Sequence, residues 1–399
     1  VGEKVVSLGA RGGEAGPRGR SAEEVDVRIA KETLNKAVSA LERVVKPRAA
    51  NPLSTYVRAE PLEGGLALAG TDEEVDLEVR LEGEADGLGR EPFLIPGAPF
   101  LTLARSLPGE EAELRREGRV LEIRSGSFHT SLSLAQAEGY PELSLPGEEG
   151  EGGFGVAGRL AKDLFLRGFS AVRYAAAKES YRGVFCGVQI ELREDGLRFV
   201  ASDGYRLALQ DLPASLGLSA RVVVPARGGE EAARVLSALE GEEVVLAARK
   251  GALGLVLRGE GVTARMALRL LEGEFPDYER VIPQEFALEA EVETEALAET
   301  LKRLAVLSDG ENRRVDLLFE EGRIKASADG LWGQGEEEVE AETRGPALAL
   351  AFNARYLLEA LAPVEGRARL RASGPQTPVL VEPAEGGGYR AAVMPLRVS

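Results

Sequence analysis

The chain has 399 residues, 44% of them hydrophobic, enough for three cores of ordinary size. Its formal charge is −17 and its pI near 4.9, which argues against a tight, sequence-reading DNA binder but not against a protein whose basic residues gather on one surface. One histidine, His129, one cysteine, Cys186, and no Gly-rich phosphate loop make a Ser-His-Asp triad or a multi-histidine metal site remote and exclude an internal disulfide.

Residues 1–23 are rich in Gly, Arg and Glu, lack the apolar core of a signal peptide and read as a disordered extension. No apolar run approaches the ~20 residues that span a bilayer. A lone cysteine suits a reducing interior, so a cytoplasmic protein with no membrane partner is expected. A first unit, residues 24–147, opens with a strand at Val25–Ile29 and an amphipathic helix over Ala30–Val45. Leu34, Val38, Leu41 and Val45 fall at helical spacing there, and Pro47 bounds the helix. Strands are expected at Leu53–Ala59, Gly65–Ala69, Val75–Leu81 and Pro92–Ile95, a second helix at Pro99–Ser106, and strands at Glu113–Glu117, Val120–Arg124 and Thr130–Leu134. Gly- and Glu-rich Pro146–Gly152 reads as a linker.

The second unit, residues 153–272, repeats the plan, with a strand at Gly153–Val156 and a helix over Arg159–Ala177. Strands follow at Gly183–Glu191, Leu197–Val200, Tyr205–Leu212 and Ala220–Val224, then a helix at Gly229–Leu239 and strands at Val244–Arg249, Ala252–Arg258 and Gly261–Leu268. Glu272–Glu285 reads as the second linker. The third unit, residues 286–399, has a strand at Phe286–Val292, helices at Glu295–Leu307 and Ala354–Leu361, strands between Arg314 and Leu350, and closing strands at Arg367–Ala372, Pro378–Pro383 and Tyr389–Met394. Two helices among about eight strands per unit is an α+β pattern.

Two markers recur at nearly one period. A strand ending in a small residue and an Asp appears at Leu66–Asp72, Leu197–Asp203 and Arg323–Asp329. Pro96-Gly97-Ala98-Pro99, Pro225-Ala226-Arg227 and Asn353-Ala354-Arg355 each follow a strand and open a helix. A period of that length is a whole domain, so the chain is three similar domains in a row. The repeated Asp residues read as turn residues bonding their own backbone rather than as metal ligands.

After residue 24 the chain resembles the bacterial DNA sliding clamp, the DNA polymerase III beta subunit. The resemblance rests on Ala201-Ser202-Asp203-Gly204-Tyr205-Arg206-Leu207-Ala208, on Gly273-Glu274-Phe275-Pro276-Asp277-Tyr278 and on Met394-Pro395-Leu396-Arg397, in order on the expected repeats. It implies three tandem clamp domains, each of two helices packed on antiparallel sheets, closing as a head-to-tail dimeric ring around duplex DNA, with helices inside and sheets outside. It implies no catalytic residue, no metal and no cofactor. The partners implied are duplex DNA read without sequence specificity, a second copy of the chain, and the replicative polymerase, clamp loader and repair polymerases or ligase, docking through short peptide motifs.

The expected DNA-facing residues are Lys46 and Arg48 after the first helix, Arg167, Arg173, Lys178 and Arg182 in the second repeat, and Arg313 and Arg314 in the third. Arg105, Arg227 and Arg234 add charge from the second helices. Arg159–Arg182 carries +4 within this acidic chain. By resemblance the client-peptide pocket is formed by Phe185, Ser202, Tyr205, Arg206, Leu207, Pro276, Val281, Asn353, Tyr356, Val393, Met394, Pro395 and Leu396. Tyr205 departs from the His common in the family. The subunit joint is expected between Val306 and Leu307 and the edge strand holding Phe128, Thr130 and Leu132, beside His129. Cys186 reads as inert packing in a buried strand. The competing reading is a peptide-binding scaffold of the same triplicated domain, with no DNA, whose basic turns merely solvate; a hydrolase built on clustered carboxylates is remoter still.

Overall fold

The computed structural model describes residues 27–397 apart from 84–85, 148–149, 309–312 and 332. The expected extension at 1–23 and the first two residues of the first predicted strand lie outside the described residues. The first repeat runs β1 (Val27–Ala30), α1 (Lys31–Leu41), β2 (Tyr56–Leu62), β3 (Gly65–Thr71), β4 (Val75–Glu82), β5 (Phe93–Pro96), α2 (Gly97–Arg105), β6 (Glu111–Glu117), β7 (Val120–Ser125), β8 (Phe128–Ser133) and β9 (Ala135–Gln136). The second runs β10 (Gly155–Ala161), α3 (Lys162–Val172), β11 (Gly187–Arg193), β12 (Gly196–Ser202), β13 (Arg206–Pro213), β14 (Ala220–Pro225), α4 (Ala226–Ala238), β15 (Glu243–Arg249), β16 (Ala252–Gly259) and β17 (Val262–Arg269). The third runs β18 (Leu288–Glu293), α5 (Thr294–Ala305), β19 (Arg314–Glu320), β20 (Arg323–Gly330), β21 (Gly333–Arg344), β22 (Leu348–Asn353), α6 (Ala354–Leu361), β23 (Arg367–Ala372), β24 (Val379–Pro383) and β25 (Tyr389–Val393).

Neighbouring repeats are stitched by strand pairing. A nine-stranded sheet runs β10-β15-β16-β17-β4-β3-β2-β5-β9, and a twelve-stranded sheet runs β14-β11-β12-β13-β25-β24-β23-β18-β21-β20-β19-β22. The first crosses between repeats where β17 pairs antiparallel with β4, Met266 opposite Leu77. The second crosses where β25 pairs with β13, Ala391 opposite Ala208. A four-stranded sheet, β1-β6-β7-β8, ends on β8. The two helices of each repeat pack on each other, and α1 also packs on α4 across the first joint. Among the described residues no helix is long and apolar enough to cross a membrane.

Helix ends differ from the periodic reading for local reasons. α1 stops at Leu41, because Glu42 to Val44 turn instead of continuing. Val44 and Val45 are still buried: a Cβ on Gly70 would lie 2.3 Å from a Val45 methyl, and one on Gly97 2.6 Å from the other. Both positions are glycine because this turn sits directly on β3 and on the start of α2. α3 begins only at Lys162, since Arg159–Ala161 complete β10 against β15, and it ends at Val172 in a short turn over Arg173–Ala175. The predicted strand at Gly183 starts at Gly187 instead; Gly183 sits at φ 59, which breaks an extended run. Cys186 is therefore not strand packing: it is half-buried in the turn, and its Sγ donates to the Glu179 carbonyl at 3.0 Å.

The repeated Asp is structurally equivalent in only two copies. Asp72 Oδ1 accepts the Glu74 and Val75 amides at 3.2 and 2.9 Å, and Asp203 Oδ1 accepts those of Tyr205 and Arg206 at 2.9 and 3.1 Å. In β20, Ile324, Ala326 and Ala328 face the core as Leu197, Phe199 and Ala201 do in β12, which sets Asp329 at the place of Ser202. The tight β20–β21 hairpin pairs Gly330 with Gly333 and has no turn for Asp329 to cap. The helix-opening marker holds in all copies: Pro96, Pro225 and Asn353 are the N-caps of α2, α4 and α6.

Candidate functional site

The expected basic wall divides into free and engaged cations. Arg48, Arg167, Lys178 and Arg313 are exposed and make no ion pair among the described residues. Others already hold a carboxylate: Lys46 with Glu231 at 3.7 Å, Arg105 with Glu42 at 2.5 Å, Arg173 with Glu230 at 3.3 Å, Arg234 with Glu230 at 2.7 Å and Arg314 with Asp316 at 2.6 Å. Arg227 bridges the first joint to Asp72 at 2.9 Å. Arg167, Arg173, Lys178 and Arg227 line one open cavity of about 1340 Å³ on the helix side, bordered also by Tyr174, Glu359 and Tyr389. Arg182 faces elsewhere: its guanidinium donates to the Asp203 carbonyl at 2.6 Å and lies 5.6 Å over the Phe185 ring.

That bond joins Arg182 to the turn expected to carry the pocket. Ser202 Oγ donates to the Arg206 carbonyl at 2.8 Å, and the Met394 amide donates to the Tyr205 carbonyl at 3.0 Å, so the turn and the C-terminal segment are one unit. Leu207 is buried with Val200, Leu209, Tyr278, Ile282, Leu380 and Ala392, and Phe275 packs on this cluster. Phe185 and Phe275 are 6.1 Å apart, ring to ring, which extends an aromatic rim toward the second linker. Tyr205 and Val281 are exposed, 59% and 52%, and offer contact surface. Asn353 is buried and spends its side-chain oxygen capping α6 through the Arg355 amide. Val393 is fully buried, Tyr356, Met394, Pro395 and Leu396 are half-buried, and Pro276 is exposed. The expected pocket thus consists of an apolar floor, an aromatic rim, and polar residues engaged within the chain.

A polar network beneath that floor escapes a reading by periodicity. Arg198 holds Asp211 in a two-pronged bond at 2.5 and 2.8 Å, Glu279 at 2.9 Å and the Tyr278 hydroxyl at 3.2 Å. The Tyr278 hydroxyl donates to Glu191 at 2.7 Å. Burial alone would raise the Glu191 carboxyl, but hydrogen bonds from Tyr278 and Arg193 outweigh it and hold it below its ordinary range. Burial pushes the Tyr278 phenol up to about 12, against the pull of Arg198. One hint was available: Arg198 and Asp211 are direct cross-strand partners in the β12–β13 hairpin.

At the expected subunit joint, Phe128, Thr130 and Leu132 point to one side of β8 and are half-buried, while His129 lies on the other side, its Nε2 3.8 Å from Glu122. Val306 is 75% exposed. Leu307 packs on β21, since a Cβ on Gly335 would lie 2.6 Å from its methyl. Sequence reasoning placed strands across Arg314–Leu350 but did not single out β21, with its Glu-rich run, as part of the joint. Among the described residues no group of three or more His, Cys, Asp or Glu is placed to hold a metal ion.

Three like domains joined by continuous sheets, each with a packed pair of helices, define a DNA-clamp architecture. Models of the DNA polymerase III beta subunit match in order: its N-terminal domain at residues 25–144, its central domain at 159–277 and its C-terminal domain at 279–397. The beta sliding clamp of Pseudomonas aeruginosa is 30% identical over 380 residues, covering 93% of this chain and 99% of that protein. That of Streptomyces coelicolor is 29% identical over 387 residues, covering 94% and 99%. The crystal structure of the Thermotoga maritima DNA polymerase III beta subunit is similar with a TM-score of 0.85 at 26% identity, over 94% of this chain and all of that one. A Pseudomonas aeruginosa clamp bound to griselimycin has a TM-score of 0.84 at 28% identity, over 94% and 99%. The chain belongs to the DNA polymerase III beta subunit family, the beta sliding clamps. Its function is that of a DNA polymerase processivity clamp.

Proposed function

We propose that two copies of the chain close head to tail into a ring that encircles duplex DNA, with helices α1–α6 of each copy on the inner wall. The observation that carries this reading is a pair of unmatched strand edges. Each internal joint pairs the strand after the small-residue turn of one repeat (β4, β13) with the last long strand of the next (β17, β25). The same two elements in the remaining positions are β21 and β8: β8 ends its sheet, and β21, paired with β18 only at Ala341–Arg344, has Gly333–Glu340 paired on the β20 side alone. Such a contact between unlike edges closes a ring when the rotations sum to a full circle, and closure covers edges that would otherwise invite aggregation. Carrying over the register of the internal joints sets Val339, Glu337 and Gly335 opposite Phe128, Thr130 and Leu132 of a second copy.

A topological link needs little affinity, so the overall charge of −17 is no obstacle to processivity. The free cations Arg48, Arg167, Lys178 and Arg313 would meet phosphates without reading bases. The apolar floor at Leu207 and the rim of Phe185, Phe275 and Tyr205 would take the anchors of short client peptides, from the polymerase, the loader and repair enzymes. The griselimycin-bound Pseudomonas clamp supports a ligand-binding role for the fold. The test is a cysteine pair. With S131C and E336C, which the carried-over register makes direct partners, oxidation should give a covalent dimer of about twice 42.5 kDa, and S131C with E337C should not. A native mass near 42.5 kDa at micromolar concentration would overturn the ring.

A further inference from the structure

Arg206 lies in the pocket turn, yet its side chain is 3% exposed and its donors are committed within the chain. Nε bonds Asp203 at 3.1 Å, one terminal nitrogen bonds the Glu359 carboxylate, and the other donates to the Tyr174 carbonyl at 2.7 Å. The rings of Tyr356 and Tyr174 cover the guanidinium at 4.2 and 5.3 Å. The network continues inward: the Tyr174 and Tyr389 hydroxyls are 2.8 Å apart, and Tyr389 donates to the Ala360 carbonyl at 2.8 Å. Glu359 is 33% exposed on α6 and, with Tyr174 and Tyr389, borders the same cavity as Arg167, Arg173 and Lys178. A buried charge links the outer pocket turn of the second repeat to the inner wall of the third.

We propose that Glu359 is a positioning residue for the client pocket: acting through Arg206, it fixes the Ser202–Leu207 turn and so sets ligand affinity from the inner wall. The proposal rests on the pocket reading above and deepens it. A guanidinium fork offers fixed directions to Asp203, Glu359 and the Tyr174 carbonyl together, which a single ammonium cannot reproduce. Removing Glu359 leaves the buried cation with one carboxylate, and the fork must re-aim into the turn it supports.

Griselimycin binding to the full chain, measured by calorimetry with thermal melting alongside, tests this. E359A should weaken binding about tenfold, and E359D, which restores a carboxylate, should recover most of the loss. E230A removes another carboxylate bordering the same cavity, one not bonded to Arg206, and should leave binding unchanged. R206K should weaken binding at least as much as E359A. Should E359A fail to fold, E359Q keeps the side chain's size and one acceptor and should show a smaller loss in the same direction. Wild-type affinity in folded E359A or E359Q, or an equal loss in E230A, would overturn the proposal. Absence of binding to the unsubstituted chain would instead overturn the pocket reading, and this proposal with it.

Discussion

A cation adds to DNA affinity in proportion to how little it is already paired. Arg167 and Lys178 are exposed without a carboxylate, whereas Arg105 and Arg234 each hold one on their own repeat. Each phosphate neutralised contributes ~0.9 to the slope of log affinity against log salt. R167A with K178A should therefore lower that slope by nearly 2 in a duplex-binding titration, and R105A with R234A by less than half as much. Equal effects would show that the ion pairs open freely on DNA. The basic positions were legible in the sequence, since they recur after each first helix. Their pairing was not, because partners such as Arg227 and Asp72 stand 155 residues apart. Arg182 likewise read as one more cation in a basic run, and only the fold turns it toward Asp203.

Among the elements, the joint between the second and third repeats depends on a network that periodicity does not reveal. Glu191 has its carboxyl held below the ordinary 4.5, so it contributes stability above that pH and loses it as pH falls through its lower native value. Tyr278 is shifted the other way: its contribution is complete below pH 10 and is lost as pH rises through about 12. Y278F removes a bond to buried Glu191 and should cost about 1–3 kcal/mol. In acid and alkaline melts it should also flatten the stability profile at both ends; an unchanged profile would remove the network from the account. Helices and strands as such were legible, because Leu34, Val38 and Leu41, or Leu197 and Phe199, repeat at the right periods. Their ends were less so. Gly183 breaks a strand by its backbone angle, and Asp329 matches the motif by spelling while sitting one position out of structural register.

For the whole molecule, triplication supplies repeated joints: a ring of two three-domain copies has six, two formed within each chain and two between the chains. The repeats were legible in the sequence, and the resemblance pointed to the strand around Phe128 to Leu132 as one closing edge. It did not point to the other, β21, which carries Glu336 and Glu337 where an internal joint carries Leu209 of β13 or Val79 of β4. That difference gives the closing joint less apolar burial than the internal ones, so it should be the first to part. In urea, dimer dissociation followed by native mass should precede loss of secondary structure; coincident transitions would mean that closing and internal joints are alike. Encirclement is tested most directly by retention on DNA. The clamp, placed by its loader on a nicked circular duplex, should stay with the circle through gel filtration in high salt and run off once a single cut linearises the DNA. Retention that is the same on circular and linear DNA would contradict it.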